Sequence, residues 1–274
     1  VKALRNLPGH LVLIIACLAA LFPVYWTVLS SVKTRVDIFA QPPVFVVDEI
    51  TWENYAQVLA DPEFVRAALV TVVVTLASTA LATIAGALAA YGLVRRGRFS
   101  GRGAFDSTLI LIRALPGIVV AVPLYKIVVD LGVYDSPVTL IIVYAAFNLP
   151  FAVWLMTGFV QGIPYELEES AHVDGASQAG VLLRIVLPLI APGLAATTIF
   201  VALMTWNEFL IPLVLADRQA KTLPVYVGGF VTSRVINWGA MAAAAAIAIV
   251  PIAVLTTLVQ RNLVRGLSSG AVKD

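Results

Sequence analysis

The sequence predicts an all-α, polytopic membrane protein with six transmembrane helices, and three observations carry that prediction. Hydrophobic residues make up 60% of the 274 positions and charged residues 12%, far from the balance of a soluble domain. Six apolar runs reach the ~20 residues needed to cross roughly 30 Å of hydrocarbon at 1.5 Å per residue. No stretch between them is long enough to bury a core of its own, so residues 1–274 read as one transmembrane domain. The natural solvent of such a chain is a bilayer. A net charge of +2 gives no reason to expect nucleic acid as a partner.

The first run, "HLVLIIACLAALFPVYWTVLSSV" (10–32), follows Lys2 and Arg5 as a signal-peptide core would. It is too long for one and no small-residue cleavage site precedes a soluble region, so a retained span is expected. Cys17, the one cysteine, lies inside this run and has no partner for a disulfide or a thiolate cluster. The second run, 64–94, is crowded with small residues in "STALATIAGALAA", as is the sixth, 238–260, in "GAMAAAAAIA". In lipid, burying apolar surface drives nothing, so close approach through Ala, Gly and Ser is what makes helix packing favourable. The third (105–132), the fourth (137–160) and a fifth within 187–215 complete the set. Prolines 116, 123, 150, 192, 212 and 251 fall in or near these spans, tolerated where neighbouring helices satisfy the freed backbone groups.

Orientation follows from the connecting segments. Lys2, Arg5, "RRGRFSGR" (95–102), Arg184, Arg261, Arg265 and Lys273 all fall on one side of a six-span arrangement, which is expected to be the cytoplasm. Both termini then lie inside, consistent with an even number of spans. The other side receives a loop over about 33–63, a short turn near "LGVYDS" and the loop 217–237.

The most informative stretch is "QGIPYELEESAHVDGAS", within the cytoplasmic segment 161–188. Pro164 suits a helix start, because its missing N–H costs nothing in the first turn. Ile163, Leu167 and Ala171 recur at i+4 and predict an apolar stripe, with Glu166 and Glu169 projecting elsewhere. Asp174-Gly175 predicts the end, since glycine accepts the left-handed conformation that closes many helices. "ASQAGVLLRIVLP" then restarts as a second helix running to Pro188. A short amphipathic helix with an acidic outer face suits a protein groove better than a lipid surface, which favours Lys and Arg. The carboxylates of this stretch, Glu168, Glu169 and Asp174, read as its wet face.

"ESAHVDGASQAGVLLRIVLPLIAP" resembles the "EAA" signature of bacterial ABC-importer permeases. Glu169, Ala171, Asp174, Gly175, Ala176, Ile185, Leu187 and Pro188 match it, and Ser170 departs by one small residue. "WNEFLIPLVL" (206–215), "SVKTRVDIF", "TWENYAQVL" and "QRNLVRGLSSGAVKD" look like the smaller six-span subunit of the maltose-type carbohydrate permeases. The resemblance implies the type I permease fold of ABC importers, in a bacterial inner membrane. It also implies partners: a homologous second permease, a dimer of ATPase subunits, an extracytoplasmic solute-binding protein and membrane lipid. The hinge becomes the coupling helix seated in the ATPase, through Glu169, Ala171, His172, Asp174, Gly175 and Ala176. The outer loop becomes a contact with the binding protein, through Tyr226, Gly228, Gly229 and Phe230.

Polar groups within the spans leave two readings open. Arg113, Tyr144, Asn148 and Asn207 could line an aqueous translocation path or make interhelical hydrogen bonds. Arg113 is the costly one, a charge at the bilayer centre being unfavourable by about 3 kcal/mol or more, whereas Lys126 can snorkel. Glu208 could relay protons in a carrier or orient the outer end of its helix, and the resemblance favours the second. No GxxxxGK[ST] loop occurs, so the chain is expected to bind no cofactor, with ATP and Mg on the partner ATPase. His10 and His172 are the only histidines, too few for an imidazole metal cluster. An ion-coupled secondary carrier, the alternative, should show inverted repeats and paired intramembrane carboxylates, and neither is apparent. An intramembrane enzyme would need a nucleophile or acid-base constellation that does not assemble.

Overall fold

In the computed structural model, which describes residues 7–95, 116–231 and 237–270, every multi-residue element is a helix. Four helices are long and apolar enough to span a membrane, over Gly9–Ser31, Pro62–Arg95, Pro137–Gln161 and Trp238–Thr257. A fifth candidate is the pair Gln178–Leu189 and Ala191–Trp206, bent by 73°. The expected third span is described only as a 14-residue helix from Gly117, and Arg113 lies outside the described residues. The chain divides into two compact units, Val1–Val65 with Val225–Pro251 and Arg66–Pro224 with Ile252–Asp274.

The first unit contains α1 (Leu7–Ser31), α2 (Arg35–Ile38) and α3 (Glu53–Ala60). Most of α1 is uncovered within the chain: Leu11 through Ile15, Leu18, Leu21 and Phe22 are all exposed, and only its end near Ser31 is buried, as suits a helix whose solvent is lipid. The segment after it is held by Asn54, whose amide donates to the carbonyls of Ser31 at 3.0 Å and Lys33 at 3.1 Å. Lys33 is 1% exposed; its ammonium donates to the Val44 carbonyl and sits 4.1 Å from the centre of the Trp26 ring. Desolvation lowers its pKa, and nearby Asp37 works against that shift.

In the second unit α4 (Pro62–Arg95) is the spine; its 34 residues contain no proline after the first position, and from Arg66 onward they belong to this unit. Against it pack α5 (Gly117–Asp130) and α6 (Pro137–Gln161). The small residues of α4 do what their frequency predicts: a Cβ on Gly86 would fall 2.6 Å from that of Ala152 on α6, so glycine is what permits this approach. One apolar cluster joins α4 to α5 and α6 around Val74, Ala121, Leu140 and Tyr144; another surrounds Ala90, Met156, Val160 and Val186.

Beyond α6 come α7 (Glu166–Val173) and α8 (Gln178–Val181), a π-helical turn (Leu182–Val186), α9 (Leu187–Leu189) and α10 (Ala191–Trp206). The expected fifth span is thus not straight. Pro188 has no N–H to return to the Arg184 carbonyl and Pro192 none for that of Pro188, so one helical bond is missing on each side of Ile190. The helix also stops at Trp206 and resumes as α11 (Leu210–Leu215). Glu208 organises the restart, its Oε1 accepting from the N–H groups of Leu210 at 3.0 Å and Ile211 at 3.2 Å. The chain continues through α12 (Leu223–Gly228) into α13 (Trp238–Gly270).

Candidate functional site

The corner between α7 and α8 is built from two caps, Asp174 and Ser177, with two residues between them. The amide of Gly175 donates to the His172 carbonyl at 3.0 Å and that of Ala176 to the Ala171 carbonyl at 2.9 Å. With Gly175 at φ +85°, this is the Schellman arrangement. Ala171 and Ala176 stand where its hydrophobic contact belongs, and both join the apolar cluster beneath the corner. The spacing Ala-x-x-Asp-Gly-Ala is therefore a helix stop whose two alanines face inward. Ser177 starts the next helix at once, its hydroxyl accepting from the Gly180 amide at 3.2 Å. His172 closes the loop from outside through Nδ1, 3.0 Å from the Ala176 carbonyl.

Two expectations about α7 need correction. Leu167 is 47% exposed, not part of the buried face, and Glu168 is 1% exposed, not part of the wet face. The first has a local cause. The helix begins at Glu166, so Ile163 precedes it and its spacing to Leu167 is not a helical repeat. The buried residues of α7 are Glu168 and Ala171, three apart on one side. Glu166, Glu169, Ser170, Val173 and Asp174 face outward, and Val173 is 84% exposed.

What buries Glu168 was missed in the sequence. Arg95 Nε donates to its Oε1 at 2.6 Å and the Tyr91 hydroxyl to its Oε2 at 2.8 Å. The Gln178 amide donates to the Tyr91 hydroxyl at 2.6 Å. The guanidinium also reaches the Ile163 carbonyl at 3.2 Å, an orphan acceptor past the end of α6. Arg95 counted in the sequence only as part of a basic run. The available signal was that Glu168 shares a helix face with Ala171, and that Tyr91 and Arg95 stand four apart on another.

The other candidate residues fall in separate places. Tyr226 is buried, its hydroxyl donating to Asp61 at 2.6 Å and its ring packed edge-on against Phe64 and Phe230. Burial, more than the Asp61 contact, raises its pKa. Gly228 and Gly229 are exposed at the end of α12, where the Gly229 amide donates to the carbonyls of Val225 and Tyr226, both at 3.0 Å. They close a short helix, a feature the expected turn did not include. Tyr144 and Asn148 lie buried on α6. The Asn148 amide donates to the Tyr144 carbonyl at 3.0 Å and to Thr205 Oγ1 on α10 at 3.1 Å, an interhelical bond. Asn207 is exposed and donates to the Leu203 carbonyl at 2.7 Å. Lys126 pairs at 3.9 Å with Asp130, both exposed at the end of α5. Among the described residues no group of three or more His, Cys, Asp or Glu is placed to hold a metal ion.

Comparison with known proteins matches residues 82–269 to the family model described as the binding-protein-dependent transport system inner membrane component. The diacetylchitobiose uptake system permease protein of Streptomyces coelicolor is 35% identical over 263 residues, covering 95% of this chain and 94% of the relative. The melibiose/raffinose/stachyose import permease protein of Bacillus subtilis is 34% identical, with the same coverage of both chains. Among solved structures, a chain of a bacterial ABC transporter importing the acidic polysaccharide alginate superposes with a TM-score of 0.79. That match has 24% identity and covers 95% of this chain and 96% of the other.

Proposed function

Since the chain belongs to the family of binding-protein-dependent transport system inner membrane components, we propose that it is the permease subunit of a sugar or oligosaccharide importer in which α7 docks on a separate ATPase. Its work is non-catalytic: ATP is bound and hydrolysed by the partner. The carbohydrate class rests on the uptake and import permeases at about a third identity over nearly the full length.

One observation carries the docking assignment: the cap at Gly175 turns α7 so that Glu169, His172, Val173 and Asp174 are exposed while Ala171 anchors it from beneath. A mixed acidic and apolar face on a rigid, doubly capped corner suits a protein groove. That face lies on the cytoplasmic side, with both termini, in the orientation that the basic segments favour. A homologous second permease completes the pathway. At the opposite side Gly228, Gly229 and Phe230 meet the solute-binding protein, with Tyr226 holding their helix from within. Arg113, Tyr144, Asn148 and Asn207 stay open between a translocation path and interhelical bonding, and the bond from Asn148 to Thr205 favours the second for Asn148.

The test is assembly. Gly175→Trp should insert normally in the membrane but lose co-purifying ATPase subunits or hydrolyse ATP without moving solute. Full transport by that variant would refute the docking role. Shortening the loop 217–237 should abolish stimulation of the ATPase by the binding protein while leaving the complex intact, and unchanged stimulation would remove the outer contact. A thermal-shift screen of the co-purifying binding protein against sugars and polyols identifies the solute.

A further inference from the structure

The corner is tied down from both sides to one helix. Glu168 precedes the Schellman turn and is held by Tyr91 and Arg95 of α4, and Gln178 follows the turn and is held by Tyr91. The Tyr91 hydroxyl is the hub, donating to Glu168 and accepting from Gln178. Arg95 adds the carbonyl of Ile163 and, at 3.5 Å, that of Val160, so the end of α6 is held by the same group. The carboxylate is 2% exposed and the guanidinium side chain 13%, and each carboxylate oxygen has its own donor. A buried network satisfied in this way fixes geometry more than it adds net stability. Breaking it from one side leaves a buried charge uncompensated.

Two routes lead away from the corner, and they differ in stiffness. Along the chain lies the π-helical turn Leu182–Val186, then the 73° bend at Ile190. Through the network lies α4, 34 residues without an internal proline, about 50 Å of continuous helix. A displacement imposed on α7 is absorbed by the first route and conducted by the second. We infer that Tyr91, Arg95, Glu168 and Gln178 are positioning residues that lock the corner to α4, making α4 the lever through which the docked helix moves the membrane part. This rests on the docking role proposed for α7, and it makes α4, not the helix that continues through Leu182–Val186, the main path of force.

The experiment uses the complete transporter, with both permeases, ATPase subunits and binding protein, in proteoliposomes, and reads solute moved per ATP hydrolysed. Glu168→Gln and Tyr91→Phe should retain the ATPase and its hydrolysis. Solute per ATP should fall about tenfold or more, the factor that one charge-assisted hydrogen bond represents. Because a weakened fold would lower both quantities together, a rescue is included. In a Cys17→Ser background, Tyr91→Cys with Gln178→Cys should be uncoupled when reduced and regain transport per ATP when bridged by a short bis-thiosulfonate, with reductant reversing the gain. Wild-type stoichiometry in Glu168→Gln and Tyr91→Phe, or a bridge that restores nothing, would overturn the lever. If Gly175→Trp releases the ATPase while the network variants transport normally, only the lever fails. If Gly175→Trp transports fully, the docking role itself fails.

Discussion

Gly175 stands at φ +85° with nothing within 4 Å of where a Cβ would be. The only internal cost of a side chain there is the left-handed backbone, about 1–2 kcal/mol for any ordinary L-residue. Alanine and tryptophan therefore share the same backbone cost and differ in what they project beyond Cβ. Gly175→Ala should retain the ATPase and most transport, while Gly175→Trp loses them. Co-purification of the two variants side by side checks this, and equal loss in both would mean that the backbone alone matters. Glu168 is the opposite kind of position. Removing it leaves Arg95 buried without its carboxylate, which costs about 3–5 kcal/mol. Glu168→Ala should lower the thermal stability of the purified chain much more than Glu169→Ala, whose side chain faces outward. Similar melting shifts for the two would contradict the buried pairing.

Among the elements, the turn between α5 and α6 has its own fastening. Asp135, at φ 56°, accepts through its carboxylate from the backbone N–H groups of Asp217, Arg218, Gln219 and Ala220 at 2.9–3.1 Å. Burial pushes its pKa up, but these four donors outweigh that and hold it below the usual carboxylate value. Its folded-state pKa is depressed, so the stabilisation is present above the unfolded value of about 3.9 and lost as pH falls through the lower folded value. Amide exchange across 217–220 should stay protected down to about pH 4 and open only below it. In Asp135→Asn protection should be weaker throughout and its acid dependence flattened; an unchanged exchange profile would sink this assignment. The same contrast explains what the sequence made legible. Gly175, the small residues of α4 and the start of α8 were readable because each is dictated by its own few neighbours. Glu168 was misread because its partners are 77 and 73 residues away, and Asp135 went unnoticed because its acceptors serve a segment more than 80 residues on. The 73° bend was missed although Pro188 and Pro192 were visible, since proline reports missing hydrogen bonds and not the angle the packing then selects.

For the molecule as a whole, the large uncovered surface of α1 must be reconciled with folding. None of its most apolar 18-residue window is buried within the chain, whereas half of the corresponding window of α4 is. A soluble protein cannot present such a helix, because contiguous exposed apolar patches of that extent drive association. In a bilayer the same surface costs nothing. Cys17 provides a native probe, since it is exposed midway along α1 and no other cysteine competes for label. A nitroxide on Cys17 in proteoliposomes should collide far more with oxygen, which concentrates in hydrocarbon, than with a water-soluble nickel chelate. Val133→Cys in a Cys17→Ser background, on the exposed turn beside Asp135, should show the reverse preference. Nickel-dominated relaxation at Cys17 would exclude α1 as a span. Repeating the measurement after the second permease joins separates the two surfaces that can cover the helix in a membrane. Unchanged oxygen collisions mean lipid, and a drop against both reagents means that the partner permease packs on α1.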